Sequence, residues 1–283
     1  MTGDGVNDAP ALKQADMGIA VSGATDAARA AAALILTDPG LTVIIKGIKE
    51  ARRIFQRMLS YTRYRIAMTT DIMFFIVLAT IAYGFFPLTP IMIIALALLD
   101  DLPIMTIAYD HAAVSSKPER WEMGHVLTVS VILGILAVVE SFGLMYYGMT
   151  NLQLSRPELQ TIMFLQLVAG GHLMLFVMRS PKTFWHQPRP SPKLFGAIVG
   201  TQVLAALMCG FGLGVPAIPW TIVGLVWIYV LVWMIIQDTV KLAVYREEEN
   251  RTTKHIWLRT PFLSRMKTSL DPHRGLQSRH ESP

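Results

Sequence analysis

The chain has 283 residues, of which 53% are hydrophobic and only 16% charged. Soluble enzymes contain a larger share of charged residues, so this composition argues against that class of protein. The positive mean hydropathy of +0.44 argues against it as well. The net charge of +5 comes from basic residues spread along the chain, so we expect no nucleic-acid partner. A single cysteine excludes an internal disulfide framework and a cysteine-rich metal site.

The first 40 residues have the pattern of a small α/β unit. A turn-rich acidic stretch precedes a predicted strand at 17–21, an Ala-rich helix near 24–33 and a strand at 34–37. About 40 residues cannot bury an adequate core alone. We therefore expect residues 1–40 to be the end of a larger domain that begins outside this sequence.

A single long helix is predicted after the turn at Asp38, Pro39 and Gly40. No proline and no pair of glycines interrupts the sequence from there to about Ala82. At 1.5 Å per residue, roughly 40 helical residues would be on the order of 60 Å long. Its first part, 41–65, is predicted to be a stalk that links the α/β unit to the membrane.

Residues 66–240 contain apolar runs of roughly 20 residues, each long enough to cross a bilayer. An even number of spans places both termini on one side, and every Lys and Arg except Arg156 flanks that side. Because basic residues mark the cytoplasmic side, we expect both termini in the cytoplasm. The polar tail, 241–283, is predicted to be disordered. The six predicted spans are 66–86, 88–109, 126–148, 159–178, 195–214 and 218–238.

The opening motif is the part of the sequence that points most directly to chemistry. Asp4 and Asp8 stand four residues apart in a Gly-rich turn and offer hard oxygen ligands to Mg2+, while glycine amides can approach a phosphate closely. Asn7 between them can donate to a phosphate oxygen. The alternative is an Asx-rich turn with no chemical role.

Few ionisable residues fall within the predicted spans. Each is a candidate for ion transport, because a charge at mid-bilayer costs about 2.5 to 3.5 kcal/mol on insertion scales. Glu140 has a structural hydrogen bond as its alternative role, and His172 has packing or hydrogen bonding. Asp71 is a candidate proton-relay acid or the partner of a basic residue outside this sequence. The candidates are Asp71, Asp100, Asp101, Glu140 and His172.

Asp100 and Asp101 are adjacent on a predicted helix, so they cannot face the same neighbour. Pro103 follows and removes the amide that would bond the Leu99 carbonyl, which predicts a broken helix and a free backbone oxygen beside the acids. Interrupted helices often form ion sites in transporters. The alternative is that the acid pair merely caps the broken helix.

The sequence from Thr2 to Lys13 resembles the hinge motif that closes the phosphorylation domain of P-type ATPases. The resemblance implies a haloacid-dehalogenase-like α/β domain, a stalk helix and spans five to ten of that family. It also implies an ATP-driven cation pump with an aspartyl-phosphate intermediate and Mg2+ as cofactor. Asp4 would then bind Mg2+, Asp8 would be a second acidic contributor and Asn7 would contact phosphate.

Two motifs of that family do not occur in this chain, the phosphorylation sequence D-K-T-G-T and the T-G-E of the actuator domain. We therefore expect the chain alone to be inactive and to need the N-terminal part of a pump, with its nucleotide-binding domain and first four spans. A non-catalytic membrane fragment remains an alternative. Basic groups beside the spans also predict contact with anionic lipid.

Residues 97–110 resemble span six of the plasma-membrane proton-pumping subclass of P-type ATPases. Residues 54–58 and 164–166 also resemble the corresponding parts of that subclass. In that subclass the second acid of the pair, here Asp101, takes up and releases the transported proton. Asp71 stands where relatives often carry Arg or His. A Ca2+ site would need six to eight oxygen ligands, which the few acids in these spans do not favour. A pump for Mg2+ or Ca2+ remains the alternative to H+ export.

Overall fold

The computed structural model describes residues 1–40, 42–115 and 120–259, with side chains described as far as Glu247. A small α/β unit is followed by long helices. Short 3-10 turns cover Val6–Asp8 and Thr106–Tyr109. The other elements are β1 (Thr2–Gly3), α1 (Ala9–Gln14), β2 (Ile19–Ala20), α2 (Asp26–Ala31), β3 (Leu34–Ile35), α3 (Thr42–Tyr83), α4 (Pro90–Met105), α5 (Met123–Thr150), α6 (Arg156–Met178), α7 (Pro192–Phe211) and α8 (Trp220–Arg259).

The α/β unit is a three-stranded parallel sheet in the order β1-β2-β3. Parallel neighbours need crossover connections, which α1 and α2 supply. Leu12, Ala20 and Ala28 form its small buried core. Gly18 is required before β2, because a Cβ there would stand 2.2 Å from the Leu12 carbonyl oxygen. The predicted α/β pattern is therefore present, with strands shorter than predicted.

The long helix α3 runs without a break for 42 residues, as the absence of proline predicts. Its membrane half packs closely against α5 at Gly134. A Cβ at Gly134 would stand 2.8 Å from the Thr70 Cβ and 2.9 Å from the Ala67 carbonyl oxygen. The small-residue spacing of Gly196 and Gly200 also suggests close packing. Within the described chain neither glycine makes such a contact, because both lie on the exposed face of α7 with no described atom within 4 Å of a Cβ.

Six helices of the described chain are long and apolar enough to cross a membrane, which confirms the predicted number. Thr89, Ser155 and Ser191 are the N-caps of α4, α6 and α7, and each is followed by a proline in the first turn. These local signals set the helix starts within a few residues of the predicted spans.

Helix α6 lies at the centre of the bundle. Of its most apolar 18-residue window, 89% is buried within the chain, whereas the corresponding window of α3 is 28% buried. Side chains from α4, α5, α7 and α8 pack around α6. A polar group on α6 therefore faces protein and not lipid.

The start of the predicted tail is helical, which corrects the expectation of disorder from 241 onward. Helix α8 continues from the last span to Arg259. Glu, Lys and Arg are good helix formers, and a helix already nucleated in the membrane extends at little cost. The rest of the predicted tail, 260–283, lies outside the described residues.

Candidate functional site

The opening turn is held together by the Asp8 side chain. Asp8 Oδ2 accepts hydrogen bonds from the backbone amides of Asp4 (3.0 Å) and Gly5 (3.1 Å). These bonds, chiefly that from Gly5, lower the pKa of Asp8, so this carboxylate stays ionised. The side chain folds back over Gly3, where a Cβ would stand 2.6 Å from the Asp8 Cβ. The glycine is therefore needed for the turn to close.

Asp4, Asn7 and Asp8 lie together in this turn, as the motif predicts, and Asp4 and Asn7 are exposed. The Asp4 carbonyl accepts from the Thr25 amide (2.9 Å), which ties the turn to the start of α2. Carboxylate oxygens at an exposed turn are the donors that Mg2+ takes. No three His, Cys, Asp or Glu residues in the described ranges gather into a metal site. A cation bound at this turn would therefore take most of its ligands from outside the described residues.

Asp100 and Asp101 point to different surroundings from consecutive positions on α4. The Asp100 side chain is 4% exposed and lies 3.5 Å from His172 Nε2 on α6. The Asp101 side chain is 54% exposed and accepts from Arg65 Nη1 of α3 at 3.3 Å. One acid is thus inside the six-helix bundle and the other is on the face that this chain leaves open.

Pro103 frees the Leu99 carbonyl as predicted, but the helix does not break there. Helix α4 continues through Pro103 to Met105 before it tightens into the 3-10 turn. The freed carbonyl lies 3.2 Å from His172 Nε2, so a histidine N–H replaces the missing amide. His172 thus has a hydrogen-bonding role, which was the alternative to a role in ion transport. This hydrogen bond explains why α4 continues past Pro103.

Asp71 and Glu140 lie in the interior between α3, α5, α6 and α8. Ser141 Oγ contacts Asp71 Oδ1 and Gln166 Oε1, each at 3.2 Å. Gln237 Nε2 donates to Glu140 Oε2 at 2.7 Å. Sequence reasoning gave no role in the site to the polar partners of the two acids, which are Ser141, Gln166 and Gln237.

Asp110 joins four elements at the end of the bundle nearest the stalk, and sequence reasoning gives it no role. Its carboxylate accepts from Arg179 Nε at the end of α6 (2.5 Å) and from the Ser191 amide before α7 (2.8 Å). Its backbone carbonyl accepts from Arg57 Nε of the stalk (2.7 Å). Arg52 donates in turn to the Ser115 carbonyl (2.8 Å). The stalk is therefore fixed to the loop that follows α4.

Lys241 is a second buried charge that the sequence does not reveal. Its ammonium group, 1% exposed, donates to Asp238 Oδ1 (2.7 Å) and to the carbonyls of Val177 (2.8 Å) and Lys182 (2.6 Å). A cation at the carboxyl end of a helix satisfies its last carbonyls. Lys241 therefore anchors α8 to the end of α6.

Residues 85–243 match the family model described as cation transporting ATPase, C-terminus. A Methanocaldococcus jannaschii protein named as a cation-transporting ATPase is 46% identical over 246 residues, which cover 87% of this chain and 31% of the relative. Two Leishmania donovani proteins named proton ATPase 1A and 1B are each 38% identical over 287 aligned positions, which cover 87% of this chain and 30% of each relative.

The chain thus spans about a third of the length of these curated relatives. The family model covers more than half of this chain, from just before α4 to within α8. These helices include Asp100, Asp101 and Glu140. The chain therefore belongs to the cation-transporting P-type ATPases and carries their C-terminal membrane region.

Proposed function

We propose that the complete protein is an ATP-driven pump that exports H+, to which this chain contributes six spans and the end of the phosphorylation domain. The Arg65–Asp101 pair is the observation that carries the choice of ion. One carboxylate suffices to bind a proton, whereas Ca2+ needs six to eight oxygen ligands. A Ca2+ ion at Asp101 would also be repelled by the Arg65 guanidinium, whose Nη1 lies 3.3 Å from Asp101 Oδ1. Two relatives named proton ATPases support the same choice.

Asp101 is the proposed proton carrier, and Arg65 is its proposed partner. Proton uptake neutralises Asp101 and weakens its attraction to Arg65, while release restores the ion pair. Relatives often carry a basic residue at the position of Asp71. Arg65 lies on α3 six positions before it. It therefore supplies, from another turn of the same helix, the positive charge that disfavours return of the proton.

The opening turn serves the phosphoryl chemistry in this proposal. Asp4 and Asp8 would hold Mg2+ in part, Asn7 would contact phosphate, and the bound ion would neutralise phosphate charge. ATP and the phosphorylated aspartate belong to the N-terminal part of the pump. Helix α3 begins seven residues after β3 and reaches Asp71, so it links the two sites in one rigid element.

The proposed location is the plasma membrane, with both termini in the cytoplasm. The distribution of Lys and Arg supports this orientation, because only Arg156 lies on the opposite flank. Anionic lipid headgroups are the proposed neighbours of the basic flanks.

The ion can be identified by reconstituting the complete pump in sealed lipid vesicles. A pH-sensitive dye would report H+ movement on addition of Mg-ATP, and Ca2+ and Mg2+ uptake would be followed in parallel. We expect ATP-dependent acidification of the vesicles and no uptake of either metal. The exposed Asp16→Asn variant provides a matched control with the wild-type rate. Uptake of Ca2+ or Mg2+ without acidification would contradict the proposal, and absence of any ATP hydrolysis would favour the non-catalytic alternative.

A further inference from the structure

The interior between α3, α5 and α6 contains a row of polar side chains that is separate from the Arg65–Asp101 pair. Asp71 and Glu140, 3% and 1% exposed, stand at its two ends. Ser141 and Gln166 lie between them, also buried. Ser141 Oγ lies 3.2 Å from Asp71 Oδ1 on one side and 3.2 Å from Gln166 Oε1 on the other.

With the Gln166 amide in the described orientation, the hydrogen count at Ser141 requires a proton at Asp71. A hydroxyl has one hydrogen and can donate to only one of its two neighbours. The second contact is a hydrogen bond only if that neighbour donates. Gln166 Oε1 is a carbonyl oxygen and cannot donate, so the donor is a protonated Asp71 carboxyl group.

Turning the Gln166 amide end for end moves the required proton to Glu140. The amide nitrogen would then donate to Ser141, and Ser141 could donate to an ionised Asp71. However, Gln166 Nε2 and Glu140 Oε1 both border Gly170, each 3.4 Å from the position that a Cβ would take. After the turn, a carbonyl oxygen would border Gly170 in place of the amide nitrogen, and a protonated Glu140 could donate to it whereas an ionised Glu140 could not.

Glu140 has room for that proton. Its Oε1 has no hydrogen-bond partner among the described residues, although the side chain is buried. Its other oxygen, Oε2, accepts from Gln237. A buried polar atom without a partner calls for an explanation such as a bound proton, water or ion.

No counter-cation compensates the two acids within the described part of the chain. The basic side chains of the surrounding helices lie elsewhere: Arg65 of α3 pairs with Asp101, Arg63 of α3 lies over the Tyr245 ring, and Lys241 of α8 pairs with Asp238. Asp100 of α4 is itself a buried acid, and its Oδ1 has no hydrogen-bond partner among the described residues. An unpaired carboxylate in such an interior is costly and is neutralised instead.

We propose that Asp71, Ser141, Gln166 and Glu140 form a second proton site in the membrane, distinct from Asp101. A proton from water adds to one carboxylate oxygen and gives a neutral acid, and the same O–H bond breaks when the proton returns to water. The orientation of the Gln166 amide decides whether Asp71 or Glu140 holds it. The inference rests on the proposed function only for the direction in which such a proton would travel.

Infrared spectroscopy of the chain in lipid vesicles at neutral pH tests this site without ATP. We expect a carbonyl band of protonated carboxylic acid that shifts in D2O and is absent from the double variant Asp71→Asn/Glu140→Gln, so that it appears in the difference spectrum between the two proteins. Gly170→Ala, which keeps both acids, is expected to shift the band because its methyl group would touch both the Gln166 amide and the Glu140 carboxyl group. Asp16→Asn is expected to leave the band unchanged.

A double variant with the wild-type acid band would overturn the proposal, as would a wild-type band that saturating Na+ or K+ abolishes. Thermal unfolding of Gly170→Ala separates a local change from a misfolded bundle. The band and the pumping of H+ are independent readouts. A wild-type protein that pumps H+ but shows no acid band would overturn only this inference, and a pump for another cation that shows the band would overturn only the proposed function.

Discussion

Asp100 and Asp101 share a peptide bond, yet the first lies inside the bundle beside His172 and the second lies on an open face beside Arg65. The cause is the helix geometry, which turns about 100° between consecutive residues. Helix α4 therefore presents one acid to α6 and the other to the surface that this chain leaves uncovered. The two acids can have different roles although the sequence gives them as a pair.

His172 and Pro103 are expected to show strong coupling in a double-mutant cycle. His172→Leu leaves the Leu99 carbonyl unpaired, which should cost about 1–3 kcal/mol of stability. Pro103→Ala restores the backbone amide that can bond this carbonyl, so the same His172→Leu change should cost less in that background. Unfolding in detergent measures both effects. An equal cost in the two backgrounds would contradict the role given to His172.

Asp110→Asn is expected to destabilise the chain because it leaves the buried Arg179 guanidinium without a charged partner. Breaking a buried pair by removing one member typically costs about 3–5 kcal/mol. The control is Arg53→Gln, which removes an exposed ion pair with Glu50 and should cost less than about 1 kcal/mol. Thermal unfolding in the same detergent compares them, and similar losses for both variants would rule out a special role for Asp110.

Gly134→Ala and Gly196→Ala form a matched pair for the contact between α3 and α5. The Gly134 methyl group would press on Thr70 and the Ala67 carbonyl, so we expect a loss of about 1–3 kcal/mol from overpacking. Gly196 has no described atom near its Cβ position, and its replacement should be neutral or slightly stabilising through helix propensity. Equal stabilities for the two variants would show that α3 and α5 pack less closely than described.

The opening turn should remain closed in weak acid. Because its backbone hydrogen bonds lower the pKa of Asp8 below the ordinary value of 3.8, the contribution of Asp8 is present above 3.8 and is lost as the pH falls through the lowered value. The amide proton shift of Gly5 in the NMR spectrum should therefore titrate below pH 3.8. Asp8→Asn is the control that should abolish this titration. A midpoint at or above 3.8 would contradict the described turn.

Local patterns were sufficient to predict most of the fold. Apolar length gave the six spans, the absence of proline gave the continuous α3, and glycine and turn residues marked the α/β unit. The extension of α8 was missed because its polar residues were interpreted without the membrane helix that nucleates them. Gly196 and Gly200 make no close contact within the described chain, because spacing alone does not determine which face of a helix has a neighbour.

The site was predictable only where it is local in sequence. Asp4, Asn7 and Asp8 are close along the chain, and the freed Leu99 carbonyl follows from Pro103 alone. Asp110 could not be recognised because its partners are 69 and 81 residues away, at the ends of other helices. The pairing of buried groups across helices depends on the packing, which composition and spacing do not encode.

The proton flux of two isosteric variants tests the account most directly. In vesicles containing the complete pump, Asp101→Asn should lower ATP-driven H+ transport by at least about tenfold, because an amide cannot take up and release the transported proton. This loss is equivalent to roughly 1.4 kcal/mol or more of barrier height. Asp100→Asn keeps the shape of the buried acid and should retain most of the flux. Wild-type pumping by Asp101→Asn, with loss of pumping in Asp100→Asn, would contradict the assignment and make the buried acid the carrier.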